Sequence, residues 1–138
     1  MIEYYAENNY KLENPTKVAN WISDTIRDRG FEEGEIVYIF CDDDYLHTLN
    51  LQFLNHDTLT DIISFDSSLG TLINGEIYIS TERVVDNAQE FSVDTIDELH
   101  RVMIHGILHF CGLKDKTQNE VKEMRQAEND ALANRDFV

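Results

Sequence analysis

Apolar residues recur along this chain with two alternating periods, helical in some stretches and strand-like in others, and the changeovers fall at capping and turn residues. Ile2 to Tyr5 predicts a short first strand. Pro15 and Thr16 open a helix with Val18, Ala19, Ile22 and Ile26 on one side and Trp21 beside that stripe, ending at Gly30. Glu35 to Cys41 is β-prone and apolar on both faces, which predicts a central strand. Asp42, Asp43 and Asp44 then read as N-cap and first-turn residues of a helix carrying Tyr45, Leu46, Leu49, Leu51 and Leu54, rather than as a metal cluster. Thr60 to Phe65 and Gly75 to Ser80 predict two further strands, with a turn around Ser67 to Gly70 between them. Ser80 or Thr81 starts a helix running to about Phe91.

Two helices close the chain. Thr95-Ile96-Asp97-Glu98 has the form of a capping box, followed by Leu99, Val102, Met103, Ile107 and Phe110 at helical spacing, so Ile96 to Cys111 is read as one helix. Thr117-Gln118-Asn119-Glu120 repeats that pattern and starts another, with Val121, Met124, Ala127, Glu128, Ala131 and Leu132 along one side. The sum is an α+β fold, a small twisted mixed sheet with packed helices.

Length changes this picture little: 138 residues without repeat, low-complexity tract or Pro/Ser-rich linker predict a single domain, 1–138, able to fold without disulfides or a structural ion. Cys41 and Cys111, each inside a predicted element, suit a reducing compartment. With no apolar run of membrane-spanning length and no basic, hydrophobic leader, the expectation is a cytoplasmic protein without membrane contact. Charge is more telling. Eleven bases against twenty-seven acids give −16, and between Gly30 and His100 sixteen acids face only Arg83. Such a surface does not grip a phosphate backbone nonspecifically. Lys114, Lys116, Lys122 and Arg125 cluster late in the chain, either as a local positive rim or as ordinary solvated residues.

That rim adjoins the candidate chemistry. His105 and His109 stand four residues apart, so in a helix they present ring nitrogens on one face. Gly112 can take positive φ, end the helix and let the chain double back, bringing Asp115 to the open side. Three nitrogen and oxygen ligands with a fourth position open are the arrangement of a catalytic zinc, although nickel, cobalt or iron(II) suit the same donors. Cys111 is a rival ligand, but two residues from His109 it points to another helix face. The plainer alternative is a pair of half-buried histidines with ordinary hydrogen-bond partners.

The run His105-Gly106-Ile107-Leu108-His109 through Gly112, with Leu49-Asn50, Thr60-Asp61-Ile62-Ile63-Ser64-Phe65, Gly75-Glu76-Ile77 and Met124 to Glu128, resembles the YbeY family of bacterial endoribonucleases in the same order over most of the chain. The resemblance implies a zinc ion, cleavage of single-stranded RNA, and a part in ribosomal RNA processing and maturation and in ribosome quality control. Two departures stand out. Asp115 occupies the position where the family usually has a third histidine, and Leu54 stands where an arginine is common. Oxygen for nitrogen adds negative charge and makes a coordinated water less acidic. His56 in the neighbouring loop is a candidate to compensate for the missing arginine, against the simpler reading of a lone exposed histidine. Asp61, Ser64 and Glu76 are candidates to assist catalysis, against a simpler reading as strand-end and turn hydrogen-bonders. Lys114, Lys116 and Arg101 are candidates to meet phosphates.

Two other functions compete. A small zinc metallopeptidase or amidohydrolase uses similar ligands, but Gly106 sits where an H-E-x-x-H hydrolase carries its glutamate base. A non-catalytic, acidic, ribosome-associated assembly factor would use the −16 charge to dock on basic ribosomal proteins or another cationic partner.

Overall fold

The computed structural model describes residues 1–138. It is a mixed α+β fold of four strands and five helices: β1 (Ile2–Ala6), α1 (Pro15–Asp28), β2 (Glu32–Cys41), α2 (Asp43–Leu54), β3 (Ile62–Asp66), β4 (Leu72–Ser80), α3 (Thr81–Phe91), α4 (Thr95–Phe110) and α5 (Gln118–Ala133). The strands form one sheet in the order β1-β2-β4-β3. β2 pairs parallel with both β1 and β4, and β3 runs antiparallel to β4 with Ile62 opposite Ile79 and Ser64 opposite Ile77. The central place expected of β2 follows from its being apolar on both faces. Its Ile36, Tyr38 and Phe40 enter a 22-residue core under α1, α4 and α5, whereas Cys41 joins Leu46 and Ile63 beneath α2.

Strand ends differ from the sequence pattern in ways hydrogen bonding explains. β2 and β4 both begin earlier than expected because Glu32 and Glu33 pair with Leu72 and Ile73 before a register shift at Ile36. β3 begins at Ile62 rather than Thr60, and Thr60 Oγ1 instead donates to the Ile62 carbonyl. Asp42 caps α2 without a side-chain bond, and Asp43 does more than sit in the first turn. Its carboxylate accepts from Ser80 Oγ and from Arg83 Nη2, each at 2.7 Å, tying α2 to α3. Burial works against that carboxylate, and the bonds from Arg83 and Ser80 outweigh it and hold its pKa below the usual aspartate value.

α4 lies across the sheet and carries the candidate ligands. Leu99, Val102, Met103, Ile104, Ile107, Leu108 and Phe110 are all buried along it, each contributing about 1.5–3 kcal/mol of apolar burial. Close approach is possible because of Gly106: a Cβ there would sit 3.0 Å from Ile77 Cδ1 and 3.2 Å from Ile62 Cδ1. Tyr38 OH donates to the Met103 carbonyl at 2.9 Å, and Trp21 Nε1 to the Ala131 carbonyl at 2.8 Å, linking the sheet to α4 and α1 to α5. The capping box expected at Thr95 does not form. Asp94 is the N-cap, Thr95 is already helical, and Glu98 falls one turn in on the buried face, where it cannot reach back. The second capping box does form, with Thr117 Oγ1 accepting from the Glu120 amide and the Glu120 carboxylate accepting from the Thr117 amide. Cys41 and Cys111 are free and buried. No helix is long and apolar enough to cross a membrane.

Candidate metal centre

α4 ends in a tight reversal built from local bonds. The Gly112 amide donates to the His109 carbonyl and the Leu113 amide to the Leu108 carbonyl, both at 3.0 Å, while Gly112 takes φ 98°. This is the Schellman geometry that a residue without Cβ adopts cheaply. It turns the chain so that Asp115 returns to the face bearing both imidazoles. His109 Nε2 lies 2.9 Å from His105 Nε2 and 3.2 Å from Asp115 Oδ2, and His105 Nε2 lies 3.4 Å from the same oxygen. The two rings are nearly perpendicular, at 87°, with centroids 4.5 Å apart.

The other ring nitrogens decide what these three atoms can do. His109 Nδ1 lies 2.9 Å from the Leu113 carbonyl, which only accepts, so this nitrogen carries the proton. His105 Nδ1 lies 2.7 Å from Glu128 Oε2. Burial works against the Glu128 carboxylate, but hydrogen bonds from His105 and Arg101 outweigh it and keep its pKa below the ordinary glutamate value, so it too accepts. With each ring neutral, both Nε2 atoms present lone pairs toward an acidic oxygen. Three acceptors at such separations require positive charge among them, and the group of His105, His109 and Asp115 could hold a metal ion. For His105, burial alone would disfavour the imidazolium. The bond and charge of Glu128, helped by Asp115 and Asp61, raise its pKa instead, a measure of how negative this corner is.

Glu128 is the residue that sequence reasoning placed only on the inner side of α5. Arg101 Nη1 donates to its Oε1 at 2.8 Å, and Arg125 Nη1 stands 3.5 Å away. A carboxylate hydrogen-bonded to the far nitrogen of a metal-directed histidine fixes ring orientation and tautomer. The signal available in advance was a glutamate in line with Met124, Ala127 and Ala131.

The ligand atoms open into a cleft of about 590 Å³ lined by Leu54, Thr60, Asp61, Ser64 and Lys116 among others. Asp61 and Ser64 are thus brought to the site. Glu76 is not: it is exposed and accepts from Tyr78 OH at 3.3 Å. His56 is exposed and does not line the cleft, and Leu54 does. Of the basic residues, Lys116 lines the cleft, Arg101 is engaged with Glu128 and Asn129, and Lys114 and Lys122 are exposed outside it. Cys111 is buried and takes no part in the convergent group. Burial raises the Asp61 carboxyl pKa, against the opposing pull of His105 and of its hydrogen bonds. A larger cavity of about 620 Å³ lies between α1 and the C-terminal residues, but no convergent ligand group borders it.

The chain is similar to known proteins along nearly its whole length. The family model described as Endoribonuclease YbeY matches residues 3–136. A protein named Endoribonuclease YbeY from Christiangramia forsetii is 51% identical over 132 residues, covering 96% of this chain and 92% of the relative. One of the same name from Flavobacterium johnsoniae is 50% identical over 133 residues, covering 96% of each. A solution structure of a Thermotoga maritima protein superposes with a TM-score of 0.69 at 26% identity, covering 96% of this chain and 87% of that one.

Proposed function

Because the chain belongs to the Endoribonuclease YbeY family, we propose that it is a metal-dependent endoribonuclease that cuts single-stranded RNA, with ribosomal RNA as its substrate and processing, maturation and ribosome quality control as its setting. In this reading residues 1–138 act as one domain, and His105, His109 and Asp115 hold one divalent ion, zinc by donor type. The observation that carries the reading is the convergence of three donor atoms, with the other nitrogen of each imidazole already committed to Glu128 or to the Leu113 carbonyl.

Each residue has a part that follows from its contacts. Glu128 and the Leu113 carbonyl keep the protons of both rings on Nδ1, so Nε2 is free to bind. Arg101 holds Glu128 in place across the α4–α5 interface. Asp115 supplies the third donor and offsets the charge of the ion. When bound, such an ion acidifies a coordinated water and polarises a phosphoryl oxygen. Asp61, in the wall of the same cleft and raised in pKa by burial, is placed to take the proton of the attacking nucleophile. Lys116 is the cleft's own cation toward the RNA backbone. The peptidase alternative gains nothing from the geometry, since the position after His105 packs on Ile77 and Ile62 instead of facing substrate.

Cleavage of single-stranded RNA by purified protein, with and without chelator, tests this reading. Activity is expected to vanish on chelation, return with zinc, and be absent from His109→Ala. Cleavage that survives both treatments would rule the mechanism out, and elemental analysis of the same preparations identifies the ion.

A further inference from the structure

His105, Asp61 and Ile62 border the cleft on one side and a second cavity of about 270 Å³ on the other, enclosed by α3, α4 and α5. Glu98 reaches into this second cavity from α4. The residue is only 6% exposed, its carboxylate oxygens are open to the cavity, and no residue of the protein donates a hydrogen bond to them; Arg101 and Arg125 act on it only as nearby charges. A carboxylate that faces a cavity with no donor from the protein marks a place where a ligand donor would be bound favourably. The cavity's carboxylates do not converge as the ligand group does, so a metal ion is not what they are arranged for.

The remaining walls describe the ligand. Ile62, Val102 and Phe91 give the cavity apolar faces, and Phe91 is 57% exposed at its mouth without an aromatic partner. The volume is below the roughly 300–1,000 Å³ of sites for drug-sized molecules and suits one flat ring. Arg125, more than half exposed and held only by a 3.5 Å contact to Glu128, stands at the rim within the same cavity. A planar ring with N–H donors on one edge, attached to an anion, satisfies all of these features.

Resting on the endoribonuclease reading, we propose that this cavity is a base subsite that takes a guanine next to the cleaved bond, with Glu98 accepting from the ring's adjacent N1–H and N2–H groups and Phe91 covering its face. Guanine is the RNA base that offers two neighbouring donors on one edge. Adenine and cytosine set an acceptor beside their donor, and uracil flanks its single donor with two acceptors, so each would turn a lone pair toward the carboxylate. The shared wall at His105 sets the base beside the cleft that holds the ligand atoms.

The test maps cut positions in a pool of single-stranded RNA of random sequence for wild type, Glu98→Gln and Phe91→Ala, alongside titration of each protein with the four nucleoside monophosphates. Wild type is expected to enrich guanine at one fixed position beside the cut by about tenfold, because a site built for a donor rejects bases lacking it. Glu98→Gln, whose amide offers one donor and one acceptor, should flatten that enrichment. Phe91→Ala, at an exposed position, should weaken binding of every monophosphate and keep guanosine first. Cleavage with even base usage, unchanged in Glu98→Gln, overturns the subsite and leaves the nuclease reading intact. If no RNA is cut, that reading fails, and the titrations decide the cavity: guanosine monophosphate preferred and lost in Glu98→Gln supports it, equal or absent binding overturns it. Should Glu98→Gln not fold, monophosphate affinity unaltered in Phe91→Ala overturns it instead.

Discussion

Nδ1 of His105 and Oε2 of Glu128 meet at 2.7 Å across the α4–α5 interface, although the residues stand 23 apart in the chain. The contact makes a helix-packing interface part of the candidate metal centre. It joins the stability of the fold to the tautomer of a ligand.

Replacing Glu128 with glutamine keeps the shape but removes the charge that holds the His105 proton on Nδ1. Metal affinity should fall about 10–100-fold, as for other partners of ligating histidines. Competition against a chromophoric chelator measures it. The alanine variant should in addition lose roughly 3–5 kcal/mol of stability, since Arg101 and His105 are left facing a buried gap. Unaltered zinc affinity in Glu128→Gln would make this glutamate a structural residue alone.

Gly112 tests the reversal that delivers Asp115. At φ 98° an added Cβ meets no atom within 4 Å, so the cost of Gly112→Ala is backbone strain rather than collision. A loss of about 1–2 kcal/mol is expected in urea unfolding. Metal affinity should drop with it, because relaxing φ swings Asp115 off the imidazole face.

Gly75 offers the opposite case. A Cβ there would lie 2.6 Å from two ring carbons of Phe110 and 2.6 Å from the Phe65 carbonyl oxygen. Phe110 is the last residue of α4 and lines the cleft. Gly75→Ala should therefore cost about 1–3 kcal/mol through overpacking and shift the end of the ligand-bearing helix. Thermal denaturation reads the first effect and metal titration the second.

His100 predicts a pH dependence away from the site. It is 1% exposed, packs against Trp21 and Phe137, and its Nδ1 accepts from Arg135 Nη1 at 2.8 Å. Burial first, then the Arg135 charge, push its pKa down to about 4, with Asp97 opposing. An unfolded chain binds this proton near pH 6.5, so between there and pH 4 the unfolded state holds more protons than the folded one. Stability from this residue is complete above pH 6.5 and is lost as pH falls through about 4, by roughly 3 kcal/mol. Urea midpoints of wild type and His100→Gln compared at pH 7 and pH 4 isolate it, and equal losses in both proteins would contradict the assignment.

Reading the chain in advance recovered those features that depend on neighbours a few residues apart. The i and i+4 spacing of His105 and His109, the glycine bend at Gly112 and the Thr117 capping box all appear where the pattern puts them, because helix geometry and φ preferences act within one or two turns. The Thr95 box failed for a reason outside that range: Glu98 was drawn to the interior face where α3, α4 and α5 meet. Glu76 and Asp61 looked alike as strand-end acids, and pairing of β3 with β4 left one exposed and the other in the cleft.

The sequence alone determined an α+β chain with two imidazoles and a carboxylate gathered at one helix end, since periodicity, capping and turn chemistry are short-range. Tertiary structure decided that Glu128 braces His105, that Asp61 and Ser64 share its cleft, and that Glu98 faces a second cavity with no donor from the protein. Those relations arise when separate elements pack, and an acidic residue on an apolar stripe carries no local sign of which side chain, across which interface, it will meet.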